Sequence, residues 1–342
     1  MTTTTAPAPE ATSATKAPGT MKALVQEGDG SADVLHLRDI AKPALTADRV
    51  LIKVRAASVN ALDWHSVHGG AILTIASKIM RSKEQPVRGV DVAGVVEAVG
   101  ENVTLFKPGD EVFGNAPASF AEYASALPAS LAVKPANVSF EQVAAVGVAG
   151  RTALQGLRDV AGVRPGQRVL VHGAGGGVGT FSVQIAKALG AHVTAVTGPT
   201  KVDIARSLGA DEVIDYSKED FTRRPARFDV VFDVAATRSV GALRGVLVPG
   251  GMLVLVGASK QGGAAIFVRI LNALVRARVL KQRVKFFVAK QDPRDLPFLS
   301  GLLVSGQLTP RIDRTYPLSA GAEAVRYLGT GEARAKVVIT MS

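Results

Sequence analysis

The run from Arg168 to Val196, RVLVHGAGGGVGTFSVQIAKALGAHVTAV, constrains the fold more than any other stretch of the chain. Val169, Leu170 and Val171 read as a short apolar strand, and Gly173, Gly175, Gly176, Gly177 and Gly179 as a tight turn behind it. Val178, Phe181, Ile185 and Leu189 then recur at three- and four-residue spacing, which predicts a helix whose apolar face lies on a sheet. Gly190 supplies its C-terminal stop, and His192 to Val196 reads as a second strand. Two strands joined through a helix run parallel, so this region is expected to be an α/β unit with a doubly wound parallel sheet.

The chemistry of such a turn belongs to the backbone. Glycines let a diphosphate approach the main chain, and the helix behind them offers unpaired N–H groups at the positive end of its dipole. A dinucleotide is the expected guest. Where NAD is preferred, Asp or Glu normally ends the second strand, about 20 residues past the first glycine, to hold the ribose hydroxyls. Thr197 stands there, no acidic residue lies between Gly173 and Val202, and the next charge is Lys201 near the start of a helical run. A carboxylate would repel a 2′-phosphate and a lysine would attract it, so NADPH is favoured. Taken singly, Lys201 reads as a solvated surface lysine, and only its place after the β-strand and glycine turn points to a phosphate.

At 342 residues the chain is long enough for two domains. Hydrophobic content of 47% with 20% charged residues describes a globular protein, and the absence of cysteine excludes disulfides and thiolate metal sites. A cytoplasmic location is expected. The net charge of +11 attracts anions, whether a phosphate-rich cofactor, an acidic membrane or nucleic acid, and cannot choose among them. Residues 1–20 are a Thr-, Ala- and Pro-rich tail expected to be disordered and without the marks of a secretory signal. No uncharged apolar run reaches the roughly 18 residues of a membrane span.

From Met21 to about Ala144 the period is that of strands and turns. Val50, Ile52 and Val54 alternate with Leu51, Lys53 and Arg55, and Gly89 to Gly100 is a β-rich run broken by glycine, as in a small barrel. From Ala145 strand and helix alternate, with further strands expected at Glu212–Tyr216, Phe228–Val234 and Met252–Val256, the last behind a Pro249-Gly250-Gly251 turn. A final strand is expected at Lys336–Thr340.

Seven motifs occur in order: SVNALDWHSVHG (Ser58 to Gly69), GVDVAGVVEAVG (Gly89 to Gly100), FKPGDEVFG (Phe106 to Gly114), AGRTAL (Ala149 to Leu154), HGAGGGVG (His172 to Gly179), LGADEVIDY (Leu208 to Tyr216) and GEARAKVVI (Gly331 to Ile339). Together they resemble the zinc-independent quinone oxidoreductase branch of the medium-chain dehydrogenase/reductase superfamily, over nearly all of Met21 to Ser342. The resemblance implies a GroES-like β-barrel catalytic domain over 21–144, a Rossmann NADP(H)-binding domain over 145–287, and a return to the catalytic domain over 288–342. It also implies a homodimer joined at the edge of the cofactor domains.

Zinc-dependent relatives hold a catalytic ion with Cys, His and Glu or Cys. Here Asn60 resembles the counterpart of the first ligand and Val90-Asp91 replaces the His-Glu pair, so no metal is expected. By the same resemblance Asn60 flanks the nicotinamide and donates to the acceptor oxygen; its alternative is a turn residue after Val59. His65 could donate or relay a proton, or be structural. Trp64 could stack on a flat ring or fill core. Further residues carried over are Thr152 beside the nicotinamide and Gly175, Gly176, Gly177 and Val178 around the diphosphate. Thr197, Gly198, Lys201 and Tyr216 surround the adenosine phosphate, Val256 and Gly257 pass beside the nicotinamide ribose, and Lys336 reaches in from the last strand. Arg151 departs from the family's aliphatic residue.

Ile266 to Lys290 combines helical apolar spacing with six arginines and lysines up to Lys285. It reads as a helix plus edge strand covering the substrate cleft, with Phe287 bordering the nicotinamide; the rival is a surface for membrane or RNA. The expected activity is NADPH-dependent, metal-free hydride transfer to a small-molecule quinone or an activated alkene (enone). An enoyl reductase of a biosynthetic pathway uses the same residues. The rival from another class is a non-enzymatic NADPH-binding protein that adheres to RNA or membrane. Nucleic acid is not the expected partner.

Overall fold

Alternating buried and exposed side chains organise the first part of the chain as antiparallel strands, seen in a computed structural model that describes residues 19–68, 86–224, 227–256 and 283–341. β1 (Thr20–Gln26) and β2 (Leu35–Ala41) pair with each other. β3 (Val50–Val59) leads into helix α1 (Ala61–His68), and β4 (Asp91–Val99), β5 (Glu111–Asn115), β6 (Tyr123–Ala126) and β7 (Leu131–Val133) follow. β3 pairs with β4 and β6, β4 with β5, and β5 with β7, all antiparallel. The strands close over Ile52, Val92, Val112 and Phe120, all fully buried, and Trp64 packs half-buried against this core. Each such side chain contributes about 1.5–3 kcal/mol by leaving water.

Helices α2 (Phe140–Ala144) and α3 (Gly147–Leu154) carry the chain to the second sheet. Ser139 starts α2 with a reciprocal cap, its hydroxyl accepting from the Gln142 N–H while the Gln142 side chain accepts from the Ser139 N–H. Then come β8 (Arg168–His172), α4 (Gly177–Ala188), β9 (His192–Thr197), α5 (Val202–Ser207), β10 (Glu212–Asp215), β11 (Phe228–Asp233), α6 (Val240–Gly245), β12 (Leu247–Val256) and β13 (Arg283–Phe287). The six strands form one parallel sheet in the order β10-β9-β8-β11-β12-β13. That is the doubly wound Rossmann order, with the strand order reversing between β8 and β11. Near-continuous burial of Val230, Val231 and Phe232 matches a sheet covered on both faces. β12 begins at Leu247, ahead of the expected Met252. The Pro249-Gly250-Gly251 turn sits inside it as an irregularity that shifts its register with β11.

After α7 (Asp295–Val304), strand β14 (Ile312–Pro317), α8 (Gly321–Thr330) and β15 (Lys336–Thr340) return to the first sheet. β15 pairs antiparallel with β3 and parallel with β14, completing a seven-stranded sheet. The return brings Lys336 beside the start of α1 and beside the glycine turn. The 1–18 tail, Gly257 and residues 266–282 of the basic segment lie outside the described residues. No helix among the described residues is long and apolar enough to cross a membrane.

Candidate active site

β8 and β11 pair side by side where the strand order reverses, and the carboxyl ends of strands at such a point are the usual ligand position of this topology. His172 and Asp233, paired residues at the ends of these strands, are joined by a 2.9 Å hydrogen bond between His172 Nδ1 and Asp233 Oδ1. Both are almost fully buried, and Asp233 Oδ1 also accepts from the Ala236 N–H. The pair ties the loop after β11 to the glycine turn. Sequence reasoning missed it because a histidine and an aspartate 61 residues apart carry no local signal.

The glycine turn is as tight as its composition requires. A Cβ on Gly179 would lie 2.1 Å from the Gly173 carbonyl oxygen, and one on Gly175 would lie 2.6 Å from both Thr197 Oγ1 and Lys201 Cβ. Gly176 begins α4 without a side-chain cap, so the first N–H groups of that helix remain for an anion. Val178 follows, half-buried against the core. Thr197 is buried at the end of β9, and the Tyr216 hydroxyl lies 2.8 Å from where a Cβ on Gly198 would be. Gly175 thus lies beside Thr197 and Lys201, and Gly198 beside Tyr216. Lys201 Nζ donates to the carbonyls of Ala333 (2.6 Å) and Gly331 (3.2 Å).

On the barrel side, β3, β4 and β15 bring buried polar groups together around Asp91. One carboxylate oxygen accepts from Ser58 Oγ (2.7 Å) and Asn60 Nδ2 (2.9 Å), the other from Asn115 Nδ2 (2.9 Å) and the Val148 N–H (2.7 Å). Four donors fill its acceptor positions. Lys336 Nζ donates to Asn60 Oδ1 (2.7 Å) and the Val59 carbonyl (3.3 Å) and lies 3.7 Å from Asp91. Burial pulls the Lys336 ammonium below its usual range, opposed by Asp91 and Asp63. Asp63 accepts from the Asn60 N–H (2.8 Å), and burial pushes its carboxyl up to about 7.

These contacts fix the Asn60 amide. Its oxygen meets an ammonium, and its nitrogen faces Asp91 and the Ser58 carbonyl, so only one orientation satisfies all three partners. Both amide hydrogens are therefore engaged within the protein. The sequence pointed to Asn60 as a donor for the acceptor oxygen, and in this arrangement its amide hydrogens face Asp91 and the Ser58 carbonyl. The donor set also does not fit a zinc ion. Asn60 Oδ1 holds an ammonium, Asp91 is saturated, and no group of three His, Cys, Asp or Glu that could hold a metal occurs among the described residues.

Thr152 sits one turn from Val148, to whose carbonyl its hydroxyl donates. Arg151 turns its guanidinium toward Asn115 and, at 3.7 Å, Asp295; it is buried, and burial lowers its pKa. His65 is half-buried on α1 with its ring edge-on to Trp64 at 4.9 Å, and His68 stacks on the same indole at 4.1 Å. Val256 and Phe287 are register partners at the ends of β12 and β13. Phe287 packs toward Gly156. Lys336 joins the two halves: its Cδ lies 3.2 Å from where a Cβ on Gly177 would be, and its ammonium is on Asn60. Ser58, Asp63 and Asn115 are the members that sequence reasoning did not assign to this centre.

Two family models match the chain: "Alcohol dehydrogenase GroES-like domain" over residues 46–136 and "Zinc-binding dehydrogenase" over 208–339. A 2-methylene-furan-3-one reductase of Solanum lycopersicum is 37% identical, the match covering 98% of this chain and 82% of the relative. The NADPH-dependent alkenal/one oxidoreductase, chloroplastic, of Arabidopsis thaliana is 35% identical over 94% of this chain and 80% of its own length. Among solved structures, the quinone oxidoreductase from Coxiella burnetii superposes with a TM-score of 0.82 at 30% identity, covering 94% of this chain and 100% of that one.

Proposed function

Because the chain belongs to the quinone oxidoreductase branch of the medium-chain dehydrogenase/reductase superfamily, and is thereby an NAD(P)-type oxidoreductase, we propose that it reduces quinones or activated alkenes with NADPH, without a metal ion. Bound at the carboxyl ends of β8 and β11, NADPH supplies the hydride. Gly175, Gly176, Gly177 and Val178 with the N-terminus of α4 hold the diphosphate; Thr197, Gly198, Lys201 and Tyr216 hold the adenosine phosphate. Val256, Phe287 and Thr152 border the nicotinamide end. Asn60, held by Asp91 and Lys336, forms its floor, and the buried Lys336 cation favours negative charge developing on the acceptor oxygen. His65 holds the proton for that oxygen.

The observation that carries this reading is the reach of Lys336 from the glycine turn to Asn60, which joins that turn to the buried polar centre around Asp91. Two relatives, a 2-methylene-furan-3-one reductase and an alkenal/one oxidoreductase, favour conjugated C=C among the acceptors. A homodimer would form through β13, the end strand of its sheet among the described residues, with Phe286 on it and Val288 just beyond it exposed. The test follows NADPH consumption with a panel of quinones and enones. Turnover with members of either class is expected. No turnover with any acceptor, together with RNA binding that weakens steeply with salt, would replace the enzyme with a binding protein.

A further inference from the structure

Residues 331–336 run along the glycine turn as a strip. Ala333, Ala335 and Lys336 face inward and are buried, whereas Glu332 and Arg334 are exposed. Three contacts zip the strip to the turn. Lys201 Nζ binds the carbonyls of Gly331 and Ala333, the Ala335 N–H donates to the Gly175 carbonyl at 3.1 Å, and the Lys336 side chain crosses Gly177. Gly176 and Ala335 form a parallel bridge. Ala335 has φ +93°, a left-handed conformation that a residue with a Cβ adopts only when its surroundings hold it.

Gly331 is the left-handed cap at the carboxyl end of α8, so Lys201 sits on the negative end of a helix dipole as well as on two carbonyls. The same side chain packs against Gly175, beside which Thr197 Oγ1 also lies, where the adenosine phosphate is proposed to bind. A phosphate dianion binds an ammonium more strongly than a neutral carbonyl does. A ribose hydroxyl does not.

We propose that residues 331–334 determine cofactor specificity together with Lys201: a 2′-phosphate draws the ammonium off the Gly331 and Ala333 carbonyls and loosens these residues from the glycine turn while Lys336 stays on Asn60, whereas a nucleotide lacking that phosphate leaves them docked. Discrimination then includes a change in the protein as well as a contact to the ligand. Gly331 and Ala333 act through Lys201 and are positioning residues. The inference rests on reading the glycine turn as an NADP(H) site.

Amide hydrogen exchange of the full chain tests it with 2′,5′-ADP and 5′-AMP as probes. Lys201→Met in the nucleotide-free protein should raise exchange of the 331–334 amides about tenfold, equivalent to about 1.4 kcal/mol. In the unmodified protein saturating 2′,5′-ADP should raise it and saturating 5′-AMP should not. Fluorescence of Trp64, the chain's one tryptophan, supplies a second readout, because its indole packs against Gly329 at the end of α8. Unchanged exchange in Lys201→Met, or equal exchange with the two nucleotides, overturns the inference while leaving the NADP(H) site standing. Binding of neither nucleotide removes the NADP(H) reading and the inference with it.

Discussion

Asp63→Asn should stabilise the protein above neutral pH and not below pH about 4.5. Asp63 is buried and accepts the Asn60 N–H, with Asp91, Lys336 and Arg88 as its charged neighbours. Burial is the largest cause of its raised pKa, the nearby Asp91 carboxylate adds to it, and the Asn60 N–H, Lys336 and Arg88 oppose. The carboxyl moves from 3.8 to about 7, roughly three pH units, and each unit is worth about 1.4 kcal/mol. A carboxyl with a raised folded-state pKa holds its proton in the folded chain after the unfolded chain has lost it. Stability therefore falls as pH rises between about 4 and 7, by at most about 4 kcal/mol for this group. Asparagine keeps an acceptor for the Asn60 N–H and cannot ionise. Urea unfolding of both proteins from pH about 4.5 to 8.5 should show a variant advantage that grows by about 2–4 kcal/mol across the range. A pH-independent difference would refute a buried, proton-holding Asp63.

Lys201→Ala should raise the KM for NADPH about tenfold or more, the worth of one lost charge-assisted hydrogen bond, and change that for NADH far less; steady-state kinetics with both cofactors measures it. Lys336→Met should lower stability by about 3 kcal/mol or more in chemical denaturation, because Asp91 loses its buried counter-charge, with Lys336→Arg recovering part of the loss. Asn60→Ala should lower kcat more than it changes NADPH affinity, since it releases Lys336 and Asp91 from their shared partner. Gly179→Ala forces a Cβ to within 2.1 Å of the Gly173 carbonyl, so calorimetry should show a lower Tm and titration a loss of NADPH binding.

Periodicity made the doubly wound sheet legible. Val169 to Val171, the glycine cluster and the apolar face from Val178 to Leu189 each encode one piece within a few residues of sequence, and β8, α4 and β9 lie where they fall. Strand ends were less legible, since Pro249-Gly250-Gly251 reads as a stop and is accommodated inside β12 as an irregularity. The barrel-side centre was the least legible. Asp63, Asp91, Arg151 and Lys336 have the hydropathy of surface residues, and their burial depends on partners far away in the chain: Lys336 and Asn60 are 276 positions apart. Asn60 was visible as a site residue, yet only its three neighbours reveal which end of the amide faces inward. Lys201 likewise gave its charge to inspection but not its carbonyl partners 130 and 132 positions away.

Metal-free hydride transfer from NADPH is tested most directly by one turnover assay with an enone acceptor, run before and after exhaustive chelation and again with zinc added back. The closed contacts of Asp91, Asn60 and Lys336 predict the same NADPH-dependent rate in all three states. Activity lost on chelation and restored by zinc would contradict it.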